Sequence, residues 1–264
     1  MPIRSRWFQA LLSATLLLLC VAAIGGLQVL QLQKIQRQDQ KPSIEQIRQD
    51  AEAEQARLAL LQDLPAFGFD NLIANWTFLN FLQYFGDKEA RSQTDYRLSP
   101  DFFEVILKRD PYFIQSYNFL LTSSSIYAGL PERSNQIMQQ ALQSLKPDVL
   151  PNAYLGWRQL AIDQLLFSGD AQAARQSFLT AAQLAAQSAL PESQQVAVSS
   201  RQTADFLASN PDSRTAQVAA WVMVYSNAPD DRAREIAIQQ IQNLGGSVTR
   251  QPDGTLAIQS PAKD

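Results

Sequence analysis

The sequence predicts an all-α protein, with an N-terminal transmembrane helix, an antiparallel stack of helix pairs and a short C-terminal β-hairpin. Three observations carry this prediction. No charge interrupts the stretch from Trp7 to Leu32. Beyond residue 65, Pro–acid steps and glycines divide the chain into helix-length segments. Finally, Gly129–Ala141 and Gly169–Ala181 share one pattern: Gly, a small residue five on, a bulky one nine on and Ala twelve on. The matching residues are Gly129, Ser134, Met138 and Ala141, then Gly169, Ala174, Phe178 and Ala181. A stack of helix pairs is a surface for holding other molecules and rarely builds a reaction centre by itself.

Composition removes several classes of function. The net charge of −3, with 22 scattered basic residues, argues against a nucleic-acid partner, because phosphate binding needs clustered Lys and Arg. There is no histidine, so the commonest general base and metal ligand is missing. The single cysteine, Cys20, lies in the most apolar stretch, which leaves no disulfide and no thiolate zinc site. No metal and no cofactor is expected. Gly-rich phosphate loops and helices with paired metal ligands are likewise absent from the sequence. The carboxylate pairs Asp101–Glu104 and Asp230–Asp231 sit at helix starts, where acids favour the helix dipole. Asn75-Trp76-Thr77 matches a glycosylation acceptor but falls within an apolar helix, where the match is accidental.

The elements follow in order. Residues 1–32 read as a membrane anchor, with the membrane crossed by residues 7–32, since about 20 apolar residues span a bilayer as a helix. Arg4 and Arg6 before the apolar core also suit a cleaved secretory signal, with Ala22 and Ala23 near the cut. A lipoprotein signal would use Cys20, but Leu19 stands where such signals have a small residue. The apolar run continues to Leu30, which favours an uncleaved anchor. Lys34, Arg37 and Lys41 nearly balance the basic N-terminus, so orientation rests on the export-signal look of the first residues. That look expects a single-pass protein whose soluble domain lies in a periplasm or a thylakoid lumen.

Residues 33–64 read as a Gln-rich stalk or solvated linker helix, with Ser43 and Gln46 as a capping box. Its apolar stripe of Ile44, Ile47, Ala51, Leu58 and Leu61 is thin. The body, 65–244, reads as helices at 69–86, 99–109, 112–128, 131–145, 152–168, 171–188, 192–208, 212–227 and 230–243, with Lys88–Leu98 as a long loop. Pro100–Asp101, Pro131–Glu132, Pro191–Glu192, Pro211–Asp212 and Pro229–Asp230 mark helix starts, because Pro in the first turn loses no hydrogen bond. Ser99 and Asn210 are the expected N-caps for two of them. In 245–264, Gly245–Gly246 ends the last helix, and Ser247–Arg250 and Thr255–Gln259 flank a Pro-Asp-Gly turn. A lone hairpin is marginal in water and must lean on a helix or a partner.

The two Gly–Ala segments resemble the second helices of tetratricopeptide repeats. Ala174, Phe178 and Ala181 match that family's small–large–small packing well, and Ser134, Met138 and Ala141 match it loosely. Asp110–Pro111 and Lys146–Pro147 resemble the closing Pro of such units, and an earlier unit spans Asn71 to Pro111. The turn glycines stand 40 residues apart, against a family period of about 34, and the tryptophan that family carries early in the first helix is absent from both of these units. A generic helical bundle also explains the periodicity. The resemblance implies that first helices line a concave groove. By position the partner-binding groove is Trp76, Asn80 and Tyr84, then Phe119, Ser123 and Tyr127, then Gln159, Asp163 and Phe167. Its aromatics and amides suit an extended peptide or partner helix. Aromatics from Phe67 to Phe85 also suit lipid headgroups.

The expected function is a membrane-anchored helical-repeat scaffold that binds a protein partner or membrane complex during assembly or stabilisation. In overall style the chain resembles membrane-associated repeat proteins of photosynthetic bacteria, some of which help to assemble photosystems. One alternative is a constitutive small subunit of a membrane complex. A remote one is a glycan-acting enzyme using carboxylates alone, with Asp163 facing a second acid across the groove.

Overall fold

The computed structural model describes residues 15, 17–29, 43–145, 151–251 and 256–261. The chain forms two compact units, Met1–Gln49 and Asp50–Asp264. In the first, residues 17–29 form helix α1, whose Leu17, Leu18, Leu19, Val21, Ile24, Leu27 and Val29 are all exposed. Among the described residues, no helix is long and apolar enough to cross a membrane. The remainder of the expected anchor over 7–32 and the start of the stalk, 33–42, lie outside those residues. The capping box at the start of α2 (Ile44–Asp63) forms as expected. The Ser43 backbone N–H donates to Gln46 Oε1 at 2.9 Å, and the Gln46 N–H donates to Ser43 Oγ at 3.2 Å.

The second unit is a succession of helices: α3 (Asp70–Gly86), α4 (Lys88–Thr94), α5 (Ser99–Arg109), α6 (Ile114–Leu120), a π-helical turn (Leu121–Tyr127), α7 (Pro131–Ser144), α8 (Ala153–Leu166), α9 (Ala171–Gln187), α10 (Ser193–Ser209), α11 (Arg214–Asn227) and α12 (Asp231–Asn243). Most helices pack on the next in sequence. In addition α5 touches α7, α6 touches α8 and α8 touches α11, so helices two or more places apart also stack. One continuous core runs from Leu58 through Phe81, Phe103, Tyr117, Met138 and Phe178 to Ile241.

Two turns share a geometry. Gly129 and Gly169 adopt φ of +68° and +66°, the left-handed region that only glycine enters freely. Around each, the chain closes with the same widened hydrogen bonds. Ala128 N–H donates to Ser123 O and Leu130 N–H to Ser124 O. Forty residues on, Ser168 N–H donates to Asp163 O and Asp170 N–H to Gln164 O. Ser134, Met138 and Ala141 are buried, as are Ala174, Phe178 and Ala181.

The structure corrects several details. Lys88–Leu98 is not an open loop, since it contains α4, capped by the Asp87 carboxylate on Ala90 N–H at 3.0 Å. The helix expected over 112–128 turns π-helical at Leu121. Ser99 is the first buried residue of α5 and caps nothing through its side chain. Asn210 ends α10, and its Oδ1 accepts from Asp212 N–H at 3.0 Å. The caps of α11 and α12 are instead Ser213 and Asp230, which accept from Ala216 and Ala233 N–H at 3.1 and 2.9 Å. Pro191, Pro211 and Pro229 therefore stand just outside their helices, and only Pro100 and Pro131 lie in the first turn.

The C-terminal half of α2 is not a solvated linker. Leu58 is fully buried in the core and Leu61 packs against it. Arg109 Nη2 donates to Leu61 O at 2.7 Å and Gln62 O at 3.3 Å, carbonyls the helix end leaves unpaired, and its Nη1 reaches Asp70 Oδ1 at 3.1 Å. At the far end, β1 (Ser247–Arg250) and β2 (Leu256–Gln259) pair antiparallel, Val248 opposite Ile258, and both these side chains lean on the core. Gly246 makes the junction possible, because a Cβ there would lie 2.9 Å from Ile241 Cγ2 and 3.0 Å from Ile241 O.

Candidate functional site

Helix α3 is apolar on both sides, and among the described residues only one side is covered. Ala74, Thr77 and Phe81 recur at helical spacing and are buried against α5, where the Phe81 ring meets Phe103 at 4.6 Å and Phe102 at 5.8 Å. The opposite side leaves Leu72 64%, Trp76 59% and Leu79 54% exposed. The turn before it adds Phe67 and Phe69, also exposed. Phe67 has φ +49° and Gly68 φ +88°. A bulky side chain at positive φ is strained, typically by about 1–3 kcal/mol. Here that strain accompanies a ring displayed to solvent. Contiguous apolar surface of this kind marks a contact site more often than a solvated one.

The nine expected groove residues do not form one groove. Trp76 is open, and Asn80 folds back to donate to Trp76 O at 2.7 Å. Phe119 packs edge-on to Phe78 at 5.3 Å, and Phe167 does the same to Trp221 at 5.5 Å. Tyr84 packs on Phe102, and Tyr127 stacks on Phe85 and touches Tyr96. Gln159 is half-buried on α8. Ser123 and Asp163 are fully enclosed and cannot line an open groove. Asp163 is closed in by the π-helical turn and α7, whose Ser125 and Ser134 reach its carboxyl, and Phe167 is met by Trp221 of α11.

Asp163 instead belongs to a buried polar cluster. Its Oδ2 accepts from Ser125 Oγ at 2.8 Å and Ser134 Oγ at 2.5 Å, while Oδ1 has no hydrogen-bond partner. Beside it, Ser177 Oγ donates to Gln164 Oε1 at 2.8 Å. Burial pushes the Asp163 carboxyl up to about 7; the two serine hydroxyls pull it down and the charge of Glu132 adds a smaller push upward. At neutral pH this group is poised between its neutral and charged forms. The expected second acid across a groove is not what it meets, because its side-chain partners are hydroxyls. The cluster also explains why Ser134 departs from the Ala of the matching position: the hydroxyl serves Asp163. A run of three serines, Ser123–Ser125, facing another serine at a packing position was the signal in the sequence. Ser125 additionally lines a cleft of about 370 Å³ with Phe167 and Trp221.

Asp101 and Glu104, expected only as helix-start acids, together hold Arg133 of α7, with Asp101 Oδ1 at 3.0 Å. Among the described residues no group of His, Cys, Asp and Glu is arranged to hold a metal ion. Comparison with protein-family models, curated proteins and solved structures finds no match for the chain. Fold and surface therefore define a class only: a helical protein that, among the described residues, leaves the aromatic outer face of α3 uncovered.

Proposed function

We propose that the chain is a membrane-anchored helical scaffold of tetratricopeptide-like design that docks a protein partner on the open face of α3, in the assembly or stabilisation of a membrane complex. The observation that carries this is the contiguous exposure of Phe67, Phe69, Leu72, Trp76 and Leu79. Large aromatic and aliphatic anchors of this kind supply most of the energy of protein contacts. The repeated glycine turns and equivalent buried triads support the tetratricopeptide-like reading. The anchor rests on the 26 uncharged residues from Trp7 to Leu32; as a helix they reach about 39 Å, beyond the roughly 30 Å of a bilayer core. Anchoring raises the partner's effective concentration in the membrane plane, so a modest face suffices. The resemblance in style to repeat proteins of photosynthetic bacteria makes a photosynthetic membrane the setting we propose.

The test uses the full-length chain in native membranes, with a photo-crosslinking residue at Leu72 or Trp76 and, as control, at exposed Gln195 of α10. The expected result is one protein, crosslinked from both α3 positions in constant ratio and not from Gln195. Labelling of lipid alone would replace the partner by the bilayer, and equal labelling from Gln195 would remove the docking face.

A further inference from the structure

Beside Tyr127 lies a small cleft of about 200 Å³, lined by Lys88 and Arg91 of α4, by Tyr96, and by Asp230 and Arg232 at the start of α12. Among the described residues, Lys88, Arg91 and Arg232 have no carboxylate within ion-pair distance, as is also true of Arg158, Arg175, Arg201 and Arg214, but this cleft brings three such cations together. The two guanidiniums are instead laid on aromatic rings, Arg91 at 3.8 Å over Tyr84 and Arg232 at 4.6 Å over Tyr127. Arg91 is further fixed by donating Nη1–H to Asp95 O at 3.1 Å, while its enclosed Nε has no partner.

The one acid in the cleft is already engaged. Asp230 Oδ1 accepts from Tyr127 Oη at 2.6 Å and from Ala233 N–H at 2.9 Å. Three cations against one carboxylate leave the lining at +2, in a chain whose net charge is −3. Tyr96, buried but for its edge, lies close enough to both guanidiniums for their charges to act on its hydroxyl. Two ring-held guanidiniums, an ammonium and a phenol make a donor set for a tetrahedral oxyanion. Guanidinium forks match phosphate oxygens in geometry.

We infer that this cleft, built from Lys88, Arg91, Tyr96 and Arg232, is a binding site for a phosphate monoester. A monoester carries about −1.5 to −2 at neutral pH, which matches the lining, whereas a diester carries only one charge. The site is separate from the open face of α3 and stands whether or not that face docks a protein.

The test is calorimetric titration of the full-length chain in nanodiscs with methyl phosphate and, separately, dimethyl phosphate, at low salt. Methyl phosphate binds saturably, and R91Q and R232Q each weaken it by about tenfold or more, while R201Q on α10 leaves it unchanged. Dimethyl phosphate binds about tenfold more weakly, and added salt weakens both. Doping the nanodiscs with phosphatidic acid separates the sources of the ester. Competition with methyl phosphate identifies a lipid headgroup as occupant, and unchanged affinity identifies a soluble ester. Circular dichroism confirms that the variants fold. The assignment is overturned if methyl phosphate gives no saturable binding, if R91Q and R232Q bind it as the wild type does, or if the diester binds equally well.

Discussion

Replacing Asp163 by Asn should change the pH dependence of stability, and the structure sets the size and sign. The carboxyl is fully buried and its pKa is pushed from 3.8 up to about 7, chiefly by burial. A raised folded-state pKa means that the folded protein holds this proton more tightly than the unfolded chain. Its stabilising effect is complete below about 3.8 and is lost as pH rises through about 7. At about 1.4 kcal/mol for each pH unit of difference, the wild type loses about 4 kcal/mol between about pH 4 and about pH 8 through this group. The Asn variant cannot ionise. Its amide meets no acceptor where Oδ1 now lies unpartnered, which costs about 1–3 kcal/mol at every pH. The two stability curves therefore cross: wild type is the more stable in acid, and D163N in mild alkali. For a domain of this size the relative melting temperatures swing by about 8–16 °C across that range. Urea unfolding of both proteins across the pH series measures it. Parallel curves, with D163N weaker by the same amount throughout, would refute the argument that Asp163 is held neutral by burial.

Other perturbations follow from the same packing. Phe178→Ala empties a fully buried site in the core and should cost about 3–5 kcal/mol in denaturant unfolding, with no change in crosslinking from the α3 face. Gly169→Ala meets no atom within 4 Å, yet its φ of +66° should still cost about 1–2 kcal/mol, readable as a lowered urea midpoint. Arg109→Gln frees the carbonyls of Leu61 and Leu64, so hydrogen exchange should rise in the last turn of α2 before the rest of the core opens. Leu72→Ser with Trp76→Ser should leave stability within about 0.5 kcal/mol, because both residues are exposed, while abolishing recovery of the crosslinked partner.

Helix limits were largely written in local chemistry. The capping box of Ser43 and Gln46, the Pro-led starts of α5 and α7, and the left-handed glycines at 129 and 169 act within a few residues, so their consequences are readable before any tertiary contact is known. The 40-residue spacing of the glycines was legible for the same reason, and the same widened hydrogen bonds recur at both turns. Helix α4 was not legible: its seven residues, Lys88–Thr94, carry no apolar period, and they hold their place by the Asp87 cap and the contacts of Arg91.

Which side of a helix meets solvent was decided by tertiary structure. Trp76, Phe119 and Gln159 occupied equivalent places in the sequence pattern, yet Trp76 is open while Phe119 packs on Phe78 and Gln159 is half-buried, because nothing among the described residues covers the outer face of α3. Leu58 and Leu61 read as a stripe too thin to bury, and Arg109, far along the chain, ties that helix end to the core. The cleft at Tyr127 joins α4 to the start of α12, some 140 residues apart in sequence. Local signals fix where helices begin and end because their partners lie within a turn. Burial and charge clustering depend on groups brought together from distant parts of the chain, and those only the folded structure assembles.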